Sequence, residues 1–334
     1  MPPENSHSNQ AIAICMATYN PAPELFRRQI ASINEQSYTD WHCFISDDAS
    51  RPEIRAQMAE VIGADNRFTL SVAPEQQGFF RNFERSLQMI PAGFAYFALA
   101  DQDDFWQPDK LRALLEPFDE NTMLVYSDAR IVDATGRVIA ASAFANRESN
   151  CADLASLVLS NSVTGAAALF SAEVLARALP FPAGIEQLAH DHWLACVALA
   201  AGRVKYLPRC LYDYVQHGGN AIGYDDAVKP TPLKLLYFGL KVVATQQGRQ
   251  AAEVIFRQDV AKVARLAQAV LCSCGAALSQ KDKSELQRLA DLAPTARMLG
   301  WLLWRGLKKA RLTAGAEHHL ALGLWGQYLA KFKA

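Results

Sequence analysis

The feature that most constrains the fold of this chain is an apolar run, residues 94–100, that ends in the acidic cluster Asp101-Gln102-Asp103-Asp104. The run is too short for a membrane span. It is typical of a buried strand that brings acidic side chains to the carboxyl edge of a sheet, where α/β proteins bind ligands. Three neighbouring carboxylates repel one another unless a hard divalent cation lies between them. The cluster therefore predicts a site for a metal ion and a diphosphate.

A second interpretation of the same residues is the start of a helix. In it, Asp104 caps the helix and Pro108 lies in its first turn. Capping would use one of the three carboxylates, so the metal site is favoured.

Three further strand–helix units precede the acidic cluster and indicate the fold class. The predicted strands are residues 11–17, 41–46 and 68–72, and the predicted helices begin near residues 24, 52, 79 and 108. Repeated βα units imply a mainly parallel sheet with helices on both faces. The loops after the first, second and fourth strands place polar or acidic side chains at one edge of this sheet.

The loop after the first strand, residues 18–23, lacks the glycine fingerprint of dinucleotide-binding folds, and the chain has no Walker A lysine loop. Instead, Thr18, Tyr19 and Asn20 offer a hydroxyl, an aromatic ring and an amide that suit stacking on a base and hydrogen bonding to it. Asp48 suits an imide N–H of uracil or thymine. For residues 47–50, a helix cap is the alternative interpretation.

Charge is distributed unevenly along the 334 residues. The net charge is −1, which suggests no nucleic-acid partner, but residues 294–334 hold seven Lys or Arg and one acid, Glu317. The first 293 residues therefore carry 26 − 33, or −7. Seven scattered cysteines and the lack of a signal-peptide pattern predict reduced thiols and a cytoplasmic location.

Three motifs resemble, in order and spacing, the landmarks of family-2 inverting glycosyltransferases with the GT-A fold. They are A-T-Y-N at residues 17–20, D-D-A-S at 47–50 and D-Q-D-D-F-W at 101–106. The last is similar to the bacterial rhamnosyltransferase-like branch. The resemblance covers about residues 11–224. It implies a flexible segment 1–10, a Rossmann-like mixed-sheet domain at 11–226 and a helical C-terminal region at 227–334.

The resemblance also implies which residues bind the donor. It assigns Thr18, Tyr19 and Asp48 to the nucleotide base, Asp101 to the ribose and Asp103 to the metal ion. The segment Q-G-F-F-R-N-F at 77–83 resembles a further family motif, with Gln77 where Asn is usual. The full predicted donor set is Thr18, Tyr19, Asn20, Asp47, Asp48, Arg81, Asn82, Asp101, Gln102 and Asp103. For Arg81 and Asn82, an ordinary helix face is the alternative.

A second acidic position, Asp191, lies between two histidines at a predicted helix start. The positive end of a helix keeps such a carboxylate ionised, and neighbouring histidines can orient it. The family places its catalytic Asp in a similar segment, so Asp191 is the predicted general base; an N-cap with two solvated histidines is the alternative. The predicted acceptor side comprises Trp106, Thr164, Gly165, His190, His192 and Trp193. Gly165 would otherwise mark a bend where backbones approach closely.

His217 lies in a glycine-bearing loop, Q-H-G-G-N-A-I-G at 216–223, that resembles a loop of the same branch. Neutral imidazole is an acceptable metal ligand beside carboxylates. Asp103 and His217 are therefore predicted to hold Mg²⁺ or Mn²⁺, although a lone histidine is often only exposed on the surface.

The last third of the chain is predicted to be helical, at residues 233–243, 251–278 and 284–292. Residues 297–333 combine basic residues with Trp301, Trp304 and Trp325. Such a segment lies on an anionic membrane surface or packs on its own domain or on a second subunit. The sequence leaves these alternatives open.

The resemblance implies an inverting glycosyltransferase of bacterial surface polysaccharide synthesis. It would move a sugar from a nucleoside diphosphate, dTDP-rhamnose or a UDP-sugar, to a hydroxyl of a glycan or lipid-linked acceptor at the inner face of the cytoplasmic membrane. One alternative is a metal-dependent phosphoryl or nucleotidyl transferase, against which Phe105-Trp106 counts, because a hydroxyl residue normally follows the acidic pair of the phosphatase type. The other alternative is a non-catalytic module that holds a metal ion.

Overall fold

The computed structural model describes residues 10–145, 148–218, 240–242, 244–313 and 315–330. Three predictions concern segments that lie wholly or largely outside these ranges. They are the flexible segment 1–10, the second half of the His217 loop and most of the helix at 233–243.

A mixed sheet of nine strands forms the centre of the described structure, in the order β3-β2-β1-β4-β8-β6-β9-β5, with β7 paired to β6. The strands are β1 Ile12–Thr18, β2 Trp41–Asp47, β3 Phe68–Val72, β4 Tyr96–Ala100, β5 Phe105–Trp106, β6 Thr122–Asp133, β7 Val138–Ala140, β8 Ala168–Ser171 and β9 Arg203–Gln216. The first four are parallel. Their continuous apolar runs are explained by burial on both faces.

Two long strands, β6 and β9, form much of the second half of the sheet. β6 and β9 pair in parallel along most of their lengths. Their register shifts where Ser127 pairs with Leu207 and Asp128 pairs with Cys210, so Pro208 falls in the irregularity. Because Pro has no N–H to donate to a ladder, such a bulge lets one strand continue through it.

Twelve α-helices lie within the described residues. They are α1 Pro23–Asn34, α2 Pro52–Ile62, α3 Phe79–Gln88, α4 Lys110–Leu115, α5 Leu154–Leu159, α6 Leu175–Ala178, α7 His190–Ala201, α8 Gln246–Ile255, α9 Ala261–Cys274, α10 Gln280–Ala290, α11 Ala296–Thr313 and α12 Ala316–Ala330. The helix after the acidic cluster begins at Lys110, later than predicted, and Asp104 does not cap it. The side chain of Asp104 is buried and accepts a hydrogen bond from the Val215 N–H instead, so the capping interpretation is wrong.

The C-terminal helices pack on the sheet domain through a shared core. Residues of α9 to α12 belong to the same hydrophobic cluster as α5, α7 and one face of the sheet. Trp301 and Trp325 are partly buried against this cluster. The predicted basic tail is therefore two helices that pack on their own chain, and Trp301 and Trp325 belong to that packing.

A buried ion-pair cluster fixes this packing. Arg305 on α11 is 3% exposed and pairs with Asp153 at 2.6 Å, Glu285 at 3.1 Å and Glu317 at 3.3 Å. Arg305 also donates to Ser156 on α5. One guanidinium thus joins α5, α10, α11 and α12.

The predicted reduced cysteines are consistent with the structure, in which all seven are free thiols. Of the helices in the described ranges, none is both long and apolar enough to cross a bilayer.

Candidate active site

The parallel strands β1, β2 and β4 end at one edge of the sheet, as predicted from their loops. Thr18 is opposite Asp47 in the β1–β2 register, and its hydroxyl donates to the Asp47 carboxylate at 3.1 Å. Asp47 also accepts from the Ser50 N–H at 2.9 Å. Both side chains are buried. These hydrogen bonds fix the loops that follow β1 and β2. The structure does not support the prediction that the side chains of Thr18 and Asp47 contact a donor.

Tyr19 and Asn20 form the outer surface of this edge. The Tyr19 side chain is 43% exposed, and Gln102 holds its backbone by accepting from the N–H at 2.8 Å and donating to the carbonyl at 3.4 Å. The Asn20 amide oxygen accepts from the Arg51 N–H. Gln102 therefore links the first loop to the acidic cluster and leaves the Tyr19 ring free to stack on a planar ligand.

Asp48 holds the loop that precedes α3. Its two carboxylate oxygens accept from the backbone N–H groups of Gln77 and Gly78, each at 2.8 Å. Gly78 has a φ of 87°, which favours glycine, and the neighbouring Ala49 has a φ of 61°, which is strained for a side chain with a Cβ. Backbone strain of this kind concentrates at functional sites, so the loop that contains Asp48 and Ala49 is a candidate binding element.

The side chains of Arg81 and Asn82 have structural partners. Arg81 pairs with Glu84 and Glu186, each at 2.7 Å. Asn82 is buried and donates to the carbonyls of Thr18 and Ser46. The prediction that Asn82 contacts the donor is corrected, because its side chain is 3% exposed and its amide is used inside the protein.

All three carboxyl groups of the acidic cluster have raised pKa values. Burial, together with the nearby charges of Asp103 and Asp191, raises the pKa of Asp101 to about 7. Burial also raises the pKa of Asp103, whereas hydrogen bonding and charge from His217 act to lower it. Asp101 and Asp191 thus act on each other electrostatically, so the acidic cluster and the second predicted acid share one site.

Asp103 and His217 are brought together by the pairing of β5 with β9. In this antiparallel register Phe105 pairs with Asp213. One residue before Phe105, Asp104 accepts a hydrogen bond from the N–H of Val215, which lies after Asp213. Continuing in the same two directions, Asp103 and His217 lie side by side. The His217 Nε2 lies 2.8 Å from the Asp103 Oδ2. Among the described residues, no group of three or more His, Cys, Asp or Glu side chains is arranged to hold a metal ion. This pair is therefore a two-ligand candidate.

Lys110 is a member of the site that the sequence analysis missed. It is fully buried, donates to the Ala166 carbonyl at 2.5 Å and lies 3.3 Å from the centre of the Trp106 ring. Burial lowers its pKa well below the usual range, and the charges of Asp104 and Asp101 oppose this shift. Its spacing from Leu114, four residues on along a helix, was the available signal that it faces inward.

Asp191 lies in the first turn of α7 and is held from two sides. It accepts from the Gly165 N–H at 2.9 Å and from the Asn161 amide at 3.0 Å. Burial raises its pKa to about 6, although these hydrogen bonds and one from the His192 N–H act to lower it. Asn161 was not among the predicted site residues, although it lies only three residues before the predicted Thr164.

The two histidines beside Asp191 face the protein interior. His190 stacks on Phe83 with ring centres 3.5 Å apart, and burial lowers its pKa to about 3. The His192 Nε2 lies 2.7 Å from the Leu157 carbonyl oxygen, and burial lowers the His192 pKa to about 4. Both are neutral near pH 7. The alternative of two solvated histidines is therefore wrong.

Two predicted acceptor-side residues are part of the core. Trp106 and Trp193 are both 0% exposed, and the Trp193 indole donates to the Ala178 carbonyl. A side chain without exposed surface cannot contact an acceptor, so the prediction is corrected for both. Thr164, which is partly exposed, and Gly165 remain beside Asp191.

Comparison with known proteins agrees with this fold. Residues 13–154 match the family described as Glycosyl transferase family 2. The uncharacterized protein y4gI of Sinorhizobium fredii (strain NBRC 101917 / NGR234) is 32% identical over 120 residues, which are 35% of this chain and 13% of that protein. The succinoglycan biosynthesis protein ExoW of Rhizobium meliloti (strain 1021) is 30% identical over 102 residues, 30% of this chain and 31% of that protein. The chain thus spans less than a third of these curated relatives.

A solved structure resembles nearly the whole chain. The crystal structure of S. aureus TarS 1-349 in complex with UDP-GlcNAc superposes with a TM-score of 0.53 at 14% sequence identity, covering 95% of this chain and 92% of that one. At this identity the likeness concerns the fold. Residues 13–154 are therefore similar to Glycosyl transferase family 2, and the chain has a mixed α/β, GT-A-like fold with C-terminal helices.

Proposed function

We propose that this protein is a metal-dependent inverting glycosyltransferase that moves a sugar from a nucleoside diphosphate to an acceptor hydroxyl. One observation carries the proposal. A carboxylate suited to accept a proton, Asp191, lies within electrostatic range of Asp101 and is held by the Gly165 N–H and the Asn161 amide. An acid cluster for the donor and a separate base for the acceptor are what a single displacement requires.

Asp191 would accept the proton of the attacking hydroxyl. Its pKa of about 6 leaves it ionised at neutral pH and still basic enough for proton transfer. The two hydrogen bonds fix the direction of the carboxylate. Inversion is then a direct attack on the anomeric carbon as the nucleoside diphosphate leaves from the opposite face, and no covalent enzyme intermediate is needed.

Asp103 and His217 would hold a divalent cation, Mg²⁺ or Mn²⁺. Their atoms fit such an ion, because a carboxylate oxygen and an imidazole nitrogen, both of which can ligate a divalent cation, lie 2.8 Å apart. Two protein ligands are also typical of Mg²⁺ sites completed by water and substrate phosphates. When bound, the ion offsets the negative charge that develops on the leaving diphosphate.

The first loop would bind the nucleoside. The exposed Tyr19 ring can stack on a base, and Gln102 fixes the position of that loop relative to Asp101. Asp48 would act mainly by holding the loop at Gln77 and Gly78. A UDP-sugar and dTDP-rhamnose are the first donors to test, given the UDP-GlcNAc in the TarS structure and the resemblance of residues 101–106 to the rhamnosyltransferase-like branch.

The acceptor would be a hydroxyl of a glycan or of a lipid-linked saccharide in bacterial surface polysaccharide synthesis. The similarity to a succinoglycan biosynthesis protein supports this setting. Thr164 and Gly165 lie beside Asp191 and would line the acceptor side. The reaction would take place at the cytoplasmic side, where nucleotide sugars are made.

The metal assignment predicts that Asp103→Asn abolishes metal-dependent nucleotide binding. Calorimetry with UDP and with dTDP, in Mn²⁺ and then in chelator, should show tighter binding in Mn²⁺ by about a hundredfold or more, because a bound metal contributes several kcal/mol of charge stabilisation. Asp103→Asn should bind equally weakly in both. Asp119→Asn, at a surface carboxylate before β6, is the matched control and should behave as the parent protein.

Equal affinity of the parent protein in Mn²⁺ and in chelator would contradict the metal role. Product analysis separates the reaction classes. A glycosyltransferase releases nucleoside diphosphate from the donor, whereas nucleotidyl transfer from the same sugar nucleotide would release sugar 1-phosphate.

The close packing at Gly165 predicts that Gly165→Ala lowers transfer without changing donor affinity. A Cβ there would lie 3.0 Å from the His190 Nε2, 3.1 Å from the Leu99 Cδ1 and 3.2 Å from the Asp191 Cβ. These neighbours must move by a few tenths of an ångström, which would misplace the base. We expect kcat to fall about tenfold or more, since larger misplacements cost about a hundredfold. Gly300→Ala, where a Cβ meets nothing within 4 Å, is the control.

A further inference from the structure

One face of α11 is exposed although the helix packs on the protein. Leu303 is 48% exposed, Trp304 53% and Leu307 82%, whereas Leu299 and Leu302 point into the core. The exposed residues follow helical spacing and form a continuous apolar stripe. An exposed apolar stripe that contains a tryptophan and a largely exposed leucine is unusual on a protein surface that has no binding partner.

The charges on this face are all positive. Arg297 and Lys308 are exposed on the same side, and the Lys308 ammonium lies 4.3 Å from the centre of the Trp304 ring. The α11 sequence contains no Asp or Glu. Two further cations of the helix differ, because Arg305 is buried in ion pairs and Lys309 lies 3.4 Å from Asp153.

The charge of this face favours an anionic surface as the occupant. Arg297 and Lys308 are exposed there, and α11 contains no Asp or Glu. An anionic membrane attracts exposed cations that lie near its surface. A second copy of the chain is a poorer match, because a twofold contact through this face would bring Arg297 and Lys308 of both copies together.

We propose that the α11 face, composed of Arg297, Leu303, Trp304, Leu307 and Lys308, docks on an anionic lipid surface. The apolar side chains would enter the boundary between headgroups and acyl chains, and the two cations would contact lipid phosphates, as in other interfacial helices. Trp301 and Trp325, which the sequence placed in the same membrane segment, take no part because they pack on the core. The proposal goes beyond the sugar-transfer reaction and does not depend on it.

Sedimentation with vesicles tests the proposal on the full-length chain. We expect the parent protein to bind phosphatidylcholine vesicles that contain phosphatidylglycerol at low salt, and to bind pure phosphatidylcholine vesicles weakly. Binding should weaken at high salt, because salt screens attraction between exposed charges and the surface. Lys308→Gln should lower the partition coefficient about fivefold. Leu307→Ser should lower it about tenfold or more.

Ile139→Ser is the matched control, because Ile139 is an apolar residue, 51% exposed, on β7 rather than on α11. It should bind vesicles as the parent protein does. All three substitutions are at exposed positions, and unchanged thermal unfolding would verify that they fold. Analytical ultracentrifugation without lipid then tests the rival occupant.

Two results would overturn the proposal. One is equal vesicle binding by Leu307→Ser and Ile139→Ser, or no binding by the parent protein at low salt. The other is a dimer that Leu307→Ser dissociates while vesicle binding is unaffected, which would assign the face to a second copy.

Discussion

Asn in place of Asp191 is expected to lower the kcat of sugar transfer by about 10²–10⁴-fold, the usual effect of losing a general base. An Asn side chain has nearly the same shape as Asp but a single acceptor oxygen. One of the two hydrogen bonds that Gly165 and Asn161 donate to Asp191 can therefore persist. It cannot accept the hydroxyl proton. Donor affinity, measured by calorimetry on the same variant, should stay close to that of the parent protein.

The pH dependence gives an independent readout of the same group. Asp191 acts as a base only when it is ionised, and burial raises its pKa to about 6. The kcat of the parent protein should therefore fall as the pH drops below about 6, approaching a tenfold loss per pH unit. The residual activity of Asp191→Asn should lack this acidic limb.

Asp48→Asn is the control that separates binding from chemistry. Asp48 accepts from the N–H groups of Gln77 and Gly78, and an amide can accept only one of these bonds. We expect a raised KM for the donor and a kcat that recovers at high donor concentration. If Asp191→Asn transfers sugar at a near-normal kcat, the base lies elsewhere. Asp101 would then be tested next, because the buried His190 and His192 accept no charge near pH 7.

Arg305→Met is expected to produce the largest loss of stability, about 3–5 kcal/mol of the free energy of unfolding. The substitution keeps much of the side-chain volume and leaves Glu317, which is 0% exposed, and Asp153, which is 8% exposed, without their guanidinium partner. A buried carboxylate without a counterion lowers the free energy of unfolding, and the loss of stability in Arg305→Met would measure this effect. Urea unfolding followed by circular dichroism measures it.

Arg257→Met is the matched control, since Arg257 forms an exposed i,i+4 pair with Glu253. Such pairs contribute about 0.3–0.5 kcal/mol. A second change, Glu317→Met, should restore part of the stability lost in Arg305→Met, because it removes one unpaired charge. A loss below about 1 kcal/mol in Arg305→Met would show that the cluster does not fix the helices.

One acidic member of this cluster, Asp153, also predicts how the stability responds to pH. Burial acts to raise the pKa of Asp153, but hydrogen bonds from Ser156 and Arg305 outweigh it and hold the pKa below its ordinary value. A lowered pKa in the folded state contributes stability above the unfolded-state pKa, and this contribution is lost as the pH falls through the folded value. The stability difference between the parent protein and Arg305→Met should therefore narrow in acid.

The sequence by itself determined the strands β1 to β4, the helices that follow them and the edge at which the acids lie. Continuous apolar runs at β1, β2 and β4 were sufficient because strands buried on both faces leave a strong local pattern. The motifs at residues 17–20, 47–50 and 101–106 likewise placed the polar loops at the carboxyl edge, since parallel strands end together. The helix start beside Asp191 was also readable, because helix starts depend on nearby residues.

Only the tertiary structure decided which side chains face the site and which face the core. Trp106, Trp193 and Asn82 lie in motifs but are buried, and burial depends on elements distant in the chain. Asp103 and His217 are 114 residues apart and meet because β5 pairs with β9. The same holds on α11, where one turn contains both the buried Arg305 and the exposed Leu307. Composition marked that segment as basic and apolar, but long-range packing determined which face meets solvent.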